Sequence, residues 1–429
     1  MKLKNYFLLS LLIGASFSCS SDNESVNAVK QPDAMLALAI NVDQTMNTAM
    51  GTKAGDQATN LVSLDARIKA LHVFVFNADG TFMAGKDSVL PNADLSEQAG
   101  VSGENKYKTA NQVLSIPVIS GNAKVIVIAN GSINASGYGK SLTELCANTT
   151  SLDSEVSGSY TMSSRVIPVS IYAGKLNCVG YSDSECTTKQ GTNIFQESSS
   201  SPAVLLYRSV AKIKLGTLTL KETTNNNIGT PVKFKVDTVY VANVKSLSQL
   251  ANISESTGWG AALEVATLQN AEWWYGAITD QTGEYKSIVG GTLKSNLLYV
   301  PTSNLEISKG ASQTMNNAFA AYENTTSVGS QTLLIVRGDY SYIPSGGTVK
   351  DVITIKDRYY TVPVNNMGQL SYTGVTEHSG IKRNVQYNVN LTIASEGSTL
   401  PYDKDASACI EVAIQVENWN VVNMNENLQ

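Results

Sequence analysis

Along the chain, hydrophobic positions first fall into a clear period at Met35, in "MLALAINV". Leu36, Leu38, Ile40 and Val42 take one side of a two-residue repeat, and Ala37, Ala39, Asn41 and Asp43 take the other. That repeat predicts a β-strand with one buried face, because successive side chains of an extended chain point to opposite sides. The stretch that follows, "DQTMNTAMGTKAGDQATN", has no period. It reads as a polar loop carrying Lys53, and Arg67 lies beyond it at the edge of the next strand. A strand tethered only by an extensible loop is a strand that a protease can detach.

Further on, "RIKALHVFVFNADGTF" predicts strand, turn and strand, with Asn-Ala-Asp-Gly supplying the turn chemistry. "AKVIVIANG" is apolar on both faces, as a central strand would be. "SLTELCANTTSL" predicts a short helix and "SSRVIPVSIYAGKL" another strand. Between residues 200 and 206 a serine run and Pro202 mark a break. Beyond it, strands are expected in "PVKFKVDTVYVANV", "SNLLYVPTSN", "SQTLLIVRGDYSY", "TVKDVITIKDRYYTVPV" and "VQYNVNLTI". In the last strand, Ile410, Val412, Ile414 and Val416 alternate with Glu411, Ala413, Gln415 and Glu417. After Asn418 the apolar set shifts to Trp419 and Val421, which predicts a bulge or bend. Two strands of matching pattern therefore stand at opposite ends of the chain, and one could substitute for the other. Many short strands between Asn, Gly and Ser turns make the fold class all-β, with a sandwich in each half.

Composition agrees with that class. Charged residues are 16% of the 429, below the ~25% usual in a globular domain. The net charge of −5 offers no basic footprint, so nucleic acid is excluded as a partner. At the N-terminus, Lys2 and Lys4 precede an apolar run from Phe7 to Ala15 and then small residues before Cys19. Residues 1–18 read as a signal peptide, too short to span a bilayer. Cys19 after "ASFS" resembles the lipobox of bacterial lipoproteins, with Phe17 a departure from the tighter consensus. Acyl chains there, at ~0.8 kcal/mol per buried CH₂, would hold the protein on a membrane; cleavage near Cys19 without lipid is the alternative.

Candidate chemistry is sparse. Cys178 and Cys186 in "CVGYSDSEC" could close a small loop or remain thiols, and Cys409 opens an apolar run as a small buried side chain. The cysteine spacing fits no zinc pattern and there are two histidines, so no metal or other cofactor is expected. HExxH, GxSxG, P-loop and Rossmann motifs are missing from the sequence. His72 sits in a strand among core positions, and His378 in a turn has no nucleophile beside it in sequence. No catalytic residue is assigned. Arg337–Asp339 spells an integrin-type tripeptide where a strand-to-turn transition is expected. Trp259, Trp273, Trp274 and Tyr275 are either core filler or a platform for sugar rings.

Taken in order, the cysteine after "ASFS" with its acidic tail "SSDNES", "RIKALHVFVFNADG", "SSRVIPVSIYAGKLNCVGYS", "LYRSVAKIKL", "IKRNVQYNVNLTIASEG" and "IEVAIQVENWNVV" resemble the fimbrillins of Bacteroidetes, the pilins of type V fimbriae. The resemblance implies two transthyretin-like sandwiches, over residues 54–204 and 205–408. Residues 19–53 would be a lipidated propeptide and 409–429 a donor strand. It also implies that a trypsin-like surface protease cuts between Lys53 and Ala54, where the family usually has arginine, with Arg67 the alternative. Loss of the strand Leu36–Val42 would open a groove, and the C-terminal strand of another copy, carrying Ile410, Val412, Ile414 and Val416, would fill it. Such a chain is a stalk subunit at the bacterial outer membrane and cell surface, serving adhesion and biofilm formation. Its partners are other copies, accessory fimbrial subunits, the membrane through Cys19 before maturation, and an unidentified surface ligand. The alternatives are an anchor or tip subunit, or a surface glycan-binding lipoprotein built on the Trp/Tyr group.

Overall fold

The alternating segments become strands in a computed structural model of the chain, which describes residues 30–42, 68–89, 112–131, 140–155, 159–200, 202–222, 229–251, 274–275, 278–279, 286–287, 297–324, 331–365, 370–373, 377–401 and 410–418. The first half holds β1 (Ala34–Val42), β2 (Ala70–Asn77), β3 (Phe82–Val89), β4 (Gln112–Val118) and β5 (Gly121–Ala129). Then come α1 (Leu142–Ala147), β6 (Thr149–Ser151), β7 (Met162–Ser163) and β8 (Ile167–Ile171). The half ends with β9 (Leu176–Val179), α2 (Asp183–Thr188), β10 (Gly191–Phe195) and β11 (Val204–Arg208). Ten strands join in the order β10-β9-β1-β11-β7-β5-β2-β3, with β4 on β1 and β8 on β5. This sheet folds over on itself, so that Leu36, Leu38 and Ile40 of β1 meet Val73, Val125 and Ile167 in one core.

The predicted hairpin is β2 and β3, and "AKVIVIANG" is the central strand β5, paired with β2, β7 and β8. Its two apolar faces have separate reasons. Val125 and Val127 face the sandwich core, whereas Ile126 and Ile128 pack with Phe74 and Phe76 of β2 under Leu142 and Leu145 of α1. A capping box positions that helix: Ser141 Oγ accepts from the Glu144 amide at 3.3 Å, and Glu144 Oε2 accepts from the Ser141 amide at 2.8 Å.

The second half contains β12 (Val210–Leu220), β13 (Gly229–Ala242), β14 (Val244–Lys245), β15 (Leu247–Gln249), β16 (Trp274–Tyr275), β17 (Ile278–Thr279) and β18 (Lys286–Ser287). It continues through β19 (Leu298–Tyr299), β20 (Leu305–Ser308), β21 (Ser312–Tyr322), β22 (Leu333–Pro344) and β23 (Ile353–Pro363). The last are β24 (Leu370–Thr373), β25 (Val385–Ile393) and β26 (Ile410–Asn418). A sheet ordered β21-β12-β25-β26-β24 packs against one ordered β19-β13-β22-β23, which also carries β20 on β13. Between them lies a second core around Ile213, Leu215, Phe234, Val389 and Leu391, in which Phe234 meets Tyr360 edge-on at 5.2 Å.

The chain passes between the cores at Ser209. Val204 and Leu206 belong to the first and Val210 to the second, so β11 lies wholly on the N-terminal side of the passage. Residues 32–429 nonetheless form one compact unit, because the halves are stitched together. Strand β6 of the first half pairs with β15 of the second, and Leu152 and Tyr160 reach into the second core. A buried polar cluster sits at the same junction. Glu155 accepts from the Thr161 amide at 2.8 Å, from Tyr322 Oη at 2.9 Å and from Ser209 Oγ at 3.0 Å. Burial, and then the Glu155 carboxylate, push the Tyr322 hydroxyl pKa up. Nearby, Arg383 Nε pairs with Glu323 at 3.1 Å with both side chains 3% exposed, and Arg383 also donates to Ser248 and Gln249.

Such a pair is most costly when half of it is removed, since the remaining charge stays buried. Glu323→Ala is therefore expected to lower the unfolding free energy by about 3–5 kcal/mol in urea titration. A loss of only about 1 kcal/mol or less, as for surface pairs, would contradict the dry junction.

Candidate functional site

The slot that holds β1 is the site to which both ends of the sequence point. One edge of β1 runs antiparallel to β4, with Ala34 opposite Val118 and Leu36 opposite Ile116. The other edge is parallel to β9 from Met35 to Leu38 and then to β11 from Ile40 to Val42. The strand is thus interior, with hydrogen-bonded neighbours on both sides. Asp33 fixes its start: the Ser120 amide and hydroxyl both donate to the Asp33 carboxylate at 2.6 Å. Asn177 Nδ2 donates to the Met35 carbonyl at 3.3 Å.

The inward face is as expected, with Leu36 and Leu38 at 0% and Ile40 at 1% exposure. The outward face corrects the expectation of a single buried side. Ala37 is 0% and Ala39 8% exposed, packed with Cys178, Tyr181 and Cys186. Cys178 and Cys186 form the disulfide, which ties α2 to β9 directly beside Ala37 in the ladder. The backbone at the end of β9 lies close along the edge of the strand. Gly180 has φ +79°, and a Cβ there would come 2.3 Å from the Ala39 carbonyl oxygen. A Cβ at Gly191 would lie 2.6 and 2.8 Å from the two sulfurs. Ser182 and Glu185 form a second capping box at the start of α2. Burial, with help from Glu185, raises the Tyr181 hydroxyl to about 12, and that buried hydroxyl has no hydrogen-bond partner among the described residues. Sequence reasoning missed this second face. The available signal was that the outward positions Met35, Ala37 and Ala39 are uncharged and apolar, whereas the last strand carries Glu411 and Gln415 on its outward face.

At the other end, β26 lies between β25 and β24 of its own subunit. It pairs antiparallel with β25 from Ile410 opposite Ile393 to Asn418 opposite Val385, and parallel with β24 from Ile414 to Glu417. Ile414 is buried and Val412 half-buried, while Glu411, Ala413 and Gln415 are exposed. Glu411 also pairs with Lys221. This strand has the single buried face that its pattern predicts, and it is nine residues long, as β1 is. Cys19, Lys53, Ala54, Arg67, Cys409, Trp259 and Trp273 lie outside the described residues, as do the side chains of Val42, Ile410, Val416, Trp274 and Tyr275.

Other sequence candidates resolve into structure. Arg337–Asp339 is not at a strand end but inside β22, paired on both sides by β13 and β23. A Cβ at Gly338 would meet the Lys235 carbonyl at 2.2 Å, and Arg337 bridges to Asp357, so the tripeptide is bound into a sheet. His72 is buried in β2, and His378 Nε2 lies 2.7 Å from Tyr387 Oη. Cys146 is a buried free thiol pushed up to about 12 by desolvation, which makes it inert rather than nucleophilic. A cavity of about 520 Å³ opens among Asn122, Lys124, Ser170, Tyr172 and Asn193.

Comparison with known proteins agrees with this geometry. The family model for the major fimbrial subunit protein FimA matches residues 34–233, and that for the FimA4 pilin C-terminal domain matches residues 345–419. The sequence is 24% identical to the major fimbrium subunit FimA type-3 of Porphyromonas gingivalis over 99% of both chains. A solved structure of a candidate cell adhesion protein from Parabacteroides distasonis is similar at TM-score 0.63 and 26% identity, covering 92% of this chain and 100% of that one. A fimbrillin of P. gingivalis has the same fold at TM-score 0.56 and 20% identity, with 92% and 99% coverage. These matches, on two all-β sandwiches, make this a fimbrial-type protein. The chain belongs to the FimA family of fimbrial subunits.

Opening the cap covalently should loosen the slot. The double variant Cys178→Ala, Cys186→Ala is expected to lose about 2–3 kcal/mol, the entropy of a loop this short. Thermal melts should then no longer respond to reductant, whereas the wild type should melt earlier in its presence.

Proposed function

We propose that this chain is a stalk-forming subunit of a surface fimbrium, exported as a lipoprotein through Cys19, matured at Lys53–Ala54 and polymerised by strand exchange. The observation that carries the reading is the interior position of β1. Detaching an interior strand leaves two rows of unpaired backbone groups and an apolar trough that another strand must cover. The side chains of Leu36, Leu38 and Ile40 alone represent about 4–9 kcal/mol of burial. A nine-residue strand of the same period is present at the other end of the chain. Because slot and donor are different surfaces, each subunit offers both and the contact repeats without closing. The resident β1 holds the slot at high effective concentration until it is cut away. The donor is stored in its own sheet, so exchange also requires β26 to leave β25 and β24. Partners in this scheme are further copies, accessory fimbrial subunits and a trypsin-like surface protease, and the place of action is the outer surface of the cell, in adhesion. The family is one of structural subunits, and no catalytic role is assigned.

Lipid-free protein treated with trypsin is expected to acquire Ala54 as its new N-terminus and to form ladders that survive mild detergent. Val412→Asp, which puts a charge where the slot is apolar, should permit cleavage but abolish the ladders. Ladders undiminished by Val412→Asp in a folded chain would refute strand exchange through β26. A new N-terminus after Arg67 would move the cut while leaving the scheme intact.

A further inference from the structure

The cavity on the outer wall of the N-terminal sandwich takes no part in strand exchange. We propose that it is a saccharide-binding site, taking one neutral pyranose ring with Tyr172 as the stacking platform. This goes beyond the polymerisation scheme and holds whether or not strands are exchanged.

The cavity forms where two strands come together without pairing. Among the described residues β8 is bonded to β5 and β10 to β9, and neither to the other. A space of about 520 Å³ opens beside them, within the ~300–1,000 Å³ usual for small-ligand sites. Alternation decides its lining. Val169 of β8 and Ala123 of β5 belong to the core, so that Pro168, Ser170, Asn122 and Lys124 take the outer face.

Three features of that lining match a sugar. The first is an exposed aromatic ring on a fixed backbone. Tyr172 follows β8 and is 52% exposed. Its amide donates to Asn177 Oδ1 at 2.8 Å, and its carbonyl accepts from Asn177 Nδ2 at 3.0 Å. Asn177 is wholly buried and also donates to the Lys175 carbonyl. In the same turn, the Gly174 amide donates to the Asp33 carbonyl at 2.7 Å. A platform held in this way loses little freedom when a ligand stacks on it.

The second feature is unused hydrogen-bonding capacity of neutral type. Ser170 Oγ donates to Asn122 Oδ1 at 3.0 Å, which leaves Asn122 Nδ2 without a partner among the described residues. Asn193 Nδ2 is held by the Tyr181 carbonyl and Asp183, while its buried Oδ1 has no partner among the described residues. Amides and hydroxyls both give and accept, as sugar hydroxyls do.

The third is the scarcity of charge. Lys124 is the one charged residue of the lining, and its charge acts on the Asp79 carboxylate. An anion would call for converging cations, and a wholly apolar ligand would leave the amides unpaired. A pyranose ring offers an apolar C–H face to Tyr172 and a hydroxyl edge to Asn122 and Asn193.

The test is saturation-transfer NMR on the uncut, full-length protein, so that the fate of strand exchange does not bear on the outcome. The probes are the methyl glycosides of glucose, galactose, mannose and N-acetylglucosamine at about 10 mM, enough to detect the millimolar affinity of a single ring. At least one should receive saturation from the wild type. Tyr172→Ala should weaken that binding by about tenfold or more. The variant should melt like the wild type, because the ring is exposed and Asn177 holds only its backbone. Tyr172→Phe keeps the stacking face and should bind within about threefold of the wild type. A disaccharide ending in the same ring separates two sources: a gain in affinity assigns the end of a glycan chain, and equal affinity a single sugar. Saturation of none of the four glycosides, or undiminished binding by Tyr172→Ala, would overturn the proposal.

Discussion

The rest of the molecule depends on one constraint, the burial of β1 on four sides. Its edges are paired with β4 and with β9 and β11, its inward face lies in the N-terminal core, and its outward face lies under the disulfide cap. A domain is stable by only about 5–15 kcal/mol, and the inward side chains of this one strand represent a comparable sum. The N-terminal sandwich therefore has two tolerable conditions, filled by its own strand or filled by another. An empty slot is a transient. If strands are exchanged as proposed, the protein has to reach its destination filled, with an occupant that is severable rather than merely loose.

The two terminal strands are alike in length and period but differ in surroundings. β1 is buried on both faces, whereas β26 shows one face to solvent. In the proposed scheme that difference separates a strand held until it is cut from a strand that can be lent. The junction at Ser209 matters for the same reason. If the slot of one copy holds the tail of the next, any pull along the fibre passes from the C-terminal sandwich to the N-terminal one within each subunit. Here that path runs through β6 paired with β15, and through the buried Glu155 and Arg383–Glu323 groups, rather than through a free linker. Buried polar clusters of this kind cost desolvation but fix one arrangement of their elements.

Alternation made much of this fold legible. Leu36 to Ile40, the β2–β3 hairpin and the even in-out pattern of β8 are local signals, and each became the expected element. Elements whose identity depends on distant partners were not legible. β21 reads "SQTMNNAFAAY", with polar residues where a strand shows solvent, and only its pairing with β12 makes it a strand. The stitch between β6 and β15 joins two three-residue strands far apart in sequence, which no periodicity can reveal. The tripeptide at Arg337 looked like a strand end because glycine and aspartate disfavour strands. Gly338 is there because Phe234 and the Lys235 carbonyl leave no room for a Cβ. As for the site, its inward half was written in leucines, while its outward half was written in alanines, and alanine is at home both in cores and on surfaces.

Why a stored strand would move follows from comparing its two homes. In its own subunit β26 has nine residues paired with β25 and four with β24. In the slot it would gain β4 on one edge and β9 with β11 on the other, so ladder hydrogen bonds are exchanged at near parity. When β25 is uncovered, Tyr387, Val389, Leu391 and Ile393 still point into the C-terminal core, although the place of Ile414 there is vacated. The apolar term therefore decides the direction. At home Val412 is half-buried, and Ala413 is exposed. In the slot the sites of Leu36, Ala37 and Leu38 are fully buried. At ~25 cal/mol per Å² of apolar surface, that added burial favours the slot, but only once β1 has vacated it. In the proposed scheme the apolar term gives the exchange its direction, and the cut that vacates the slot permits it.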